Sequence, residues 1–455
     1  MLSFFTNKQA YFYLLLLVAI GIALQSVIYK LAIIALLLQW LIGGGCRQKV
    51  LKLRQNSFGV GLIGLYFLFA ISFFWSDNKM VSIIDLVVKS PLLILPLIIL
   101  SQKKLSAKQI NQVFLSFALS SCILNLFCLG DAFFSYIKTR QINEFYYYNL
   151  TLNMHTAYQA MFTSFSIVIC FYLFIKDNLM SNWAIYFVIA IQIVCLLLLS
   201  SRMQILIMMA ILPGFFIAYF YRQNRTPIGL LYVVLLFGFT YLIITTPSAL
   251  NYRFKQTISQ INSIGGEDSD PRKYIWNAGI QVIKKDWLIG SGNGDAKDLL
   301  LHEYSKLIID DPFSEDLVDS LLVHMKKRSK IVSYFKQGSA NISTYEKKIK
   351  DYVIETLNSQ NSSYKTALKR EYNFHNQYLQ TLAAIGVFGL ILFCYILYAP
   401  FVLSIRNKDY FFVLFLVIVA LSFLTESMLE RQAGTSFFPF FYSIFLIGLN
   451  QNKHV

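Results

Sequence analysis

Long uninterrupted apolar runs, separated by short polar breaks, set the pattern of this chain. Residues 183–199 (WAIYFVIAIQIVCLLLL) show no alternation between apolar and polar positions. Strands of a membrane barrel alternate over about ten residues, so this pattern predicts helices instead. A helix needs roughly 20 apolar residues to cross about 30 Å of hydrocarbon. By that measure the pattern predicts twelve spans, at 10–24, 27–42, 58–75, 81–100, 110–130, 157–175, 183–200, 204–221, 227–246, 376–401, 410–425 and 435–450. The expected fold is an all-α integral membrane protein with about 12 transmembrane helices and one large, mostly helical outer loop between spans 9 and 10. The chain then divides into 1–246 (spans 1–9), 247–375 (loop domain) and 376–455 (spans 10–12 and a short tail). The first run follows Lys8 but lacks a small-residue cleavage site, and a second span begins almost at once, so it is expected to be retained.

Composition sharpens this reading. The chain has 56% hydrophobic and 14% charged residues, against about 25% charged in soluble proteins. Its formal charge of +16 is unevenly placed. With the N-terminus inside, short inner segments hold Lys8, Arg47, Lys49, Lys52, Arg54, Lys103, Lys104, Lys108, Lys176, Arg222, Arg225, Arg406, Lys408 and Lys453. Short outer loops hold only Lys79, Lys138, Arg140, Arg202 and Arg431. Cytoplasmic loops are enriched in Lys and Arg, so both termini are expected in the cytoplasm. The positive charge thus records topology and gives no reason to expect a nucleic-acid partner. The six cysteines lie in or beside spans, none in the large loop, and no Cys/His spacing of zinc type occurs.

The segment 247–375 breaks the pattern. It holds 19 of the 40 Lys/Arg and 16 of the 24 Asp/Glu. Residues 273–285 place Ile275, Ala278, Gly279 and Val282 on one helical face, and 315–336 and the more polar 343–372 also show helical spacing. Loops are expected at Gly265-Gly266 through Pro271 and at Gly290-Ser291-Gly292-Asn293-Gly294-Asp295. The second follows a helix and lies away from cytoplasmic nucleotides, which argues against a phosphate-cradling role. The acidic cluster Asp310–Asp319 lacks calcium-loop spacing, and the basic cluster Lys326–Lys330 reads as a solvated helix face, with anionic headgroups as its alternative partner.

Ionisable groups in or beside spans are costly unless paired or hydrated, and so mark candidate chemistry. Arg202, between two nearly continuous spans, can hold a phosphate by two parallel hydrogen bonds or simply snorkel to fix a helix end. His375, at the start of span 10, can take a proton from a hydroxyl or bond a backbone carbonyl. His155, opening span 6, has the same two readings. Asp85 and Lys89 stand four apart on one helix face, with Lys89 about 12 Å below the outer surface. They form either a self-contained ion pair or the floor of a hydrated cleft. Pro91 and Pro96 are expected to bend that helix.

Several segments together resemble the O-antigen ligase and O-antigen polymerase superfamily of bacterial envelopes. They are Ser201-Arg202 between spans, Arg272-Lys273-Tyr274-Ile275-Trp276 opening the large loop, and the run Gly290–Gly294. Next come His375-Asn376-Gln377-Tyr378-Leu379 and Gly386-Val387-Phe388-Gly389-Leu390. His155-Thr156-Ala157-Tyr158 and Glu430-Arg431-Gln432-Ala433-Gly434 extend the resemblance. It implies an inner-membrane enzyme with a periplasmic active site and no cofactor or metal. Its donor would be an undecaprenyl-diphosphate-linked glycan and its acceptor a lipid A–core sugar or another glycan. On the resemblance Arg202 and Arg272 hold the diphosphate, and His375 orients or deprotonates the attacking hydroxyl. Lys89, His155, Tyr158, Asn376, Tyr378 and Arg431 are the substrate-binding candidates. Thr156 stands where the family often has proline, and residues 297–372 match nothing recognisable, which leaves acceptor choice open. A ligase leads, with a polymerase close behind and transfer to protein hydroxyls third. A transporter or flippase usually has two related halves around an inner loop, and no internal duplication is visible here. A receptor using the loop only for binding is the remaining class.

Overall fold

The computed structural model describes residues 8–102, 105–152, 154–176, 179–222, 271–308 and 361–449, with isolated positions between 227 and 241. The expected span 227–246, the helix 315–336, the Gly265-Gly266 loop and the clusters Asp310–Asp319 and Lys326–Lys330 lie outside the described residues, in whole or in large part. The described residues form helices and turns without a strand. In order these are α1 (Lys8–Leu24), α2 (Val27–Ile42), α3 (Cys46–Arg54), α4 (Ser57–Ser72), α5 (Lys79–Lys89), α6 (Pro91–Ser101) and α7 (Ala107–Thr139). There follow α8 (Thr156–Lys176), α9 (Asn182–Leu198), α10 (Arg202–Arg222), α11 (Pro271–Lys285) and α12 (Ala296–Leu307). After α13 (361–369) come α14 (Gln377–Arg406), α15 (Tyr410–Thr425) and α16 (Gln432–Leu449).

Every expected span within the described residues coincides with one of these helices. Five helices are long and apolar enough to cross a membrane alone, counting Lys79–Ser101 as one, and α2 with α3 makes a sixth if that bent pair is a single span. Shorter apolar helices occupy the other expected positions. The chain is a multi-pass helical membrane protein. Between α2 and α3 the path turns by 113°, which lays a basic helix across the end of the bundle. There Lys49 donates to the carbonyl of Trp40 and Lys52 to that of Gln102.

Aromatic rings fill the core where α7, α8, α15 and α16 meet. Phe114 and Phe117 of α7 touch Phe165 of α8 and Phe441 of α16, while Phe412 of α15 stacks on Phe445 at 4.7 Å. Lipid tails are as apolar as these side chains, so ring packing supplies the contact energy that burial from water gives a soluble core. A polar seam joins α7, α8 and α9. Asn125 donates to Thr163 (3.0 Å), Gln159 donates to Asn125 (2.9 Å), and Gln192 donates to Ser166 (2.7 Å) and Ser121 (3.2 Å).

Within the described part of the large segment, α11 packs against the bundle. The face anticipated from Ile275, Ala278, Gly279 and Val282 is buried, against α12 and α14. Beyond α11 the glycine run sits against a break in α14 at Ile385 and Gly386, where the backbone leaves helical geometry. Ser291 N–H donates to Ala383 O (2.8 Å), Gly292 N–H to Ala384 O (3.0 Å) and Val387 N–H to Trp287 O (3.0 Å). A Cβ on Gly386 would lie 2.2 Å from Leu288 O, so glycine is required there. The Asp295 carboxylate accepts from Ser76 Oγ (3.0 Å), Asp77 N–H (2.6 Å) and Asn78 N–H (2.8 Å). The Gly290–Asp295 loop is therefore a clasp between the α4–α5 turn and the broken helix.

Candidate functional site

At the α11 end of the bundle three chain segments converge on one carboxylate. Glu426 follows the last residue of α15 and is largely buried. Its Oε2 lies 2.9 Å from His375 Nδ1, and its Oε1 accepts from Arg272 Nη2 at 3.2 Å. Arg272 stands in the first turn of α11, and His375 two residues before α14. The carboxylate only accepts, so Nδ1 of His375 carries the shared proton and Nε2 is left as the ring's acceptor. Burial alone would raise the Glu426 pKa. The His375 hydrogen bond and the charges of His375, Arg272 and His155 outweigh it, and the net shift is downward.

Local geometry fixes the histidine. His375 adopts a left-handed backbone (φ 44°), which costs a non-glycine residue roughly 1–3 kcal/mol. The surrounding hydrogen bonds hold it there. His375 N–H donates to Asn373 Oδ1 (3.0 Å), and Asn376 caps α14 by accepting from Tyr378 N–H (2.9 Å) and Leu379 N–H (3.1 Å). Asn376 N–H in turn donates to Ser427 Oγ (3.2 Å), and Gln377 Oε1 accepts from Leu429 N–H (2.7 Å). The 373–379 and 426–431 segments are thus stitched together around the His375–Glu426 contact. Tyr372 sits edge-on to the His375 ring, 5.2 Å between centroids.

His155 approaches from the start of α8. Ala157 N–H donates to its Nδ1 (3.3 Å), which puts the proton of the neutral ring on Nε2, 3.4 Å from Tyr148 Oη. Burial lowers its pKa. Glu426 opposes that shift, while the charges of Arg431, His375 and Arg272 reinforce it, so both histidines and both arginines lie in one electrostatic neighbourhood. Arg431 itself is exposed.

The remaining candidates are placed differently. Arg202 is half-buried at the first position of α10, after Ser200 turns the chain with φ 51°. Two residues on, Gln204 donates to Ser422 Oγ (2.6 Å), one turn before Glu426, which sets Arg202 at the same end of the bundle. The Tyr158 hydroxyl is buried and donates to Met428 O (3.2 Å), and that of Tyr378 donates to Ala420 O (3.0 Å). Their polar atoms bind the framework under the site. Lys89 is fully buried, 2.5 Å from Asp85 and 3.0 Å from Glu430, with the Phe69 ring 4.9 Å away. The geometry is an ion triad reaching across to the α15–α16 turn, rather than the two-residue pair or the open cleft floor anticipated. Burial raises the Glu430 pKa against the opposing pull of Lys89. Among the described residues no three His, Cys, Asp or Glu side chains are grouped to hold a metal ion.

Residues 185–314 match the family model described as O-antigen ligase. The likeness to the O-antigen ligase family thus covers 130 of the 455 residues. The matched segment contains Arg202 and Arg272, while His375 and Glu426 lie beyond it. The family consists of membrane glycosyltransferase-like enzymes, whose general partners are a lipid-linked glycan and a glycan acceptor. No curated protein matches the chain.

Sequence reasoning missed Glu426, which joins the site together. The available signal was an acidic residue closing a 16-residue apolar helix, Tyr410–Thr425, where an unpaired carboxylate is expensive. Ser427 was also missed, and Asp295, named only as the end of an expected loop, was not recognised as its anchor. Neither carries a pattern, because their partners lie 51 and about 220 positions away.

Proposed function

We propose that this protein transfers a glycan from an undecaprenyl diphosphate to a hydroxyl of lipid A–core, at the periplasmic face of the inner membrane and without a metal. The observation that carries this reading is the Glu426 carboxylate holding His375 and Arg272 at once. Arg272 presents its guanidinium to the donor diphosphate, and Arg202 supplies a second cation from α10. The acceptor hydroxyl oxygen attacks the anomeric carbon as the bond from that carbon to the diphosphate oxygen breaks. Negative charge grows on the departing undecaprenyl diphosphate, and fixed cations aimed there lower the barrier without reorganising. The hydroxyl proton passes to Nε2 of His375, and Glu426 steadies the imidazolium that forms, acting as a positioning residue. His155 is held neutral by burial, which suits a hydrogen-bond donor to sugar oxygens better than a second cation.

The test is purified protein in liposomes with a lipid-linked glycan and lipid A–core. Product bearing the whole glycan on core is expected, and His375→Ala and Arg272→Ala are expected to abolish it while inserting normally. Full activity of both variants would overturn the assignment. Elongation of the lipid-linked glycan itself, with core untouched, would make the protein a polymerase with the same site.

A further inference from the structure

The turn after α11 exposes three consecutive large apolar side chains, Trp287 (55%), Leu288 (47%) and Ile289 (52%). Among the described residues no side chain covers these three, and an exposed apolar patch marks an interaction surface. Its backbone is nevertheless fixed. Val387 N–H donates to the carbonyls of Trp287 (3.0 Å) and Leu288 (3.3 Å), directly at the α14 break. From Val387 the helix continues to Arg406, and these 20 residues are about 30 Å long at about 1.5 Å per residue, one hydrocarbon thickness. Phe388, Ile391, Tyr395 and Tyr398 make an exposed stripe down that stretch, the face a span turns to lipid. The α14 break therefore lies at the membrane boundary, and the Trp-Leu-Ile turn is tied to it.

The neighbouring turn is similar. Phe74 and Trp75 are exposed, and the same turn is joined to the glycine run through Ser76 and Gly294 (3.0 Å) and through Ser72 and Asn293 (3.1 Å). Lys284, one residue outside the pair Lys285–Glu303, is exposed and suits lipid phosphate.

We propose that Trp287, Leu288 and Ile289 are embedded in the phospholipid headgroup layer on the side of the candidate site, anchoring the C-terminal end of α11 to the bilayer. Tryptophan favours that layer because its ring is apolar and its N–H is not. The consequence is positional. The C-terminal end of α11 is thereby held at the bilayer surface.

Brominated phospholipids report the depth. In proteoliposomes, a variant keeping Trp287 with Trp40, Trp75, Trp183 and Trp276 changed to phenylalanine should lose about half its emission to bromine near the top of the acyl chain and less to bromine near its end. Trp276 donates to Phe374 O (3.0 Å), so its replacement risks the fold. A second protein therefore keeps all tryptophans and carries a nitroxide at Leu288→Cys, with the exposed Cys46 and Cys394 changed to serine. That nitroxide should collide more readily with oxygen than with a water-soluble nickel complex. Absence of quenching, stronger quenching by the deeper bromine, or nickel access above oxygen access in the second protein overturns the proposal.

Discussion

Replacing Glu426 with glutamine changes one oxygen to an amide nitrogen and removes one charge, with little change in volume. In the native site Oε2 meets His375 Nδ1 at 2.9 Å and Oε1 meets Arg272 Nη2 at 3.2 Å, both as acceptors. Glutamine retains one acceptor, so one of the two donors faces an NH2 group. Arg272 is about a third exposed (35%), and solvent screens its share. The working figure therefore rests on the His375 contact. Hydrogen bonds to charged groups contribute about 1.5–3 kcal/mol, and an imidazolium forming against a neutral amide forfeits most of that. At about 1.4 kcal/mol per tenfold, the loss in kcat is on the order of 10- to 150-fold. The assay is single-turnover transfer in liposomes at matched protein content, with the monodisperse peak in detergent as the control for folding. KM for the lipid donor should change much less than kcat, because the arginine charges remain. A Glu426→Asp variant keeps the charge but draws it back by about one bond length, and should recover part of the rate. Wild-type kcat in Glu426→Gln would refute the reasoning, as would a loss confined to KM.

Three further outcomes follow from the same geometry. The lowered pKa of Glu426 means its contribution to stability is present above the ordinary carboxylate value of 4.5 and is lost as pH falls through the lower folded value, so in thermal melts wild type should lead Glu426→Gln at pH 7 and the gap should close toward pH 3. Lys89→Met leaves Asp85 and Glu430 facing each other without their cation and should cost about 3–5 kcal/mol, seen as reduced membrane level, with Asp85→Asn and Glu430→Gln added together restoring it; an unchanged level in the single variant would remove the triad from the account. Gly386→Ala places a methyl 2.2 Å from Leu288 O at φ 68° and should free the α11 clasp to protease at a cost of at least about 1–3 kcal/mol, whereas Gly130→Ala, with nothing within 4 Å, should be neutral or gain about 0.5–1 kcal/mol.

The apolar runs of the sequence by themselves determined the membrane class and the positions of the described apolar helices, five or six of them long enough to cross a membrane. Bilayer thickness imposes a length that a one-dimensional pattern can record. Helix α11 and its buried face were equally legible, because Ile275, Ala278 and Val282 recur at the helical period. Asp85 and Lys89 were readable as neighbours for the same reason, four residues being one helical turn. Only the tertiary structure brought Glu430 to that pair from 341 positions away, and Glu426 to His375 and Arg272 from 51 and 154. It likewise turned the glycine run into a clasp, since the need for glycine at 386 comes from a carbonyl at 288. Local periodicity records which face of a helix is apolar. It carries no trace of which distant chain end a buried charge will meet, and that meeting is decided by packing, where an unpaired carboxylate costs too much to leave alone.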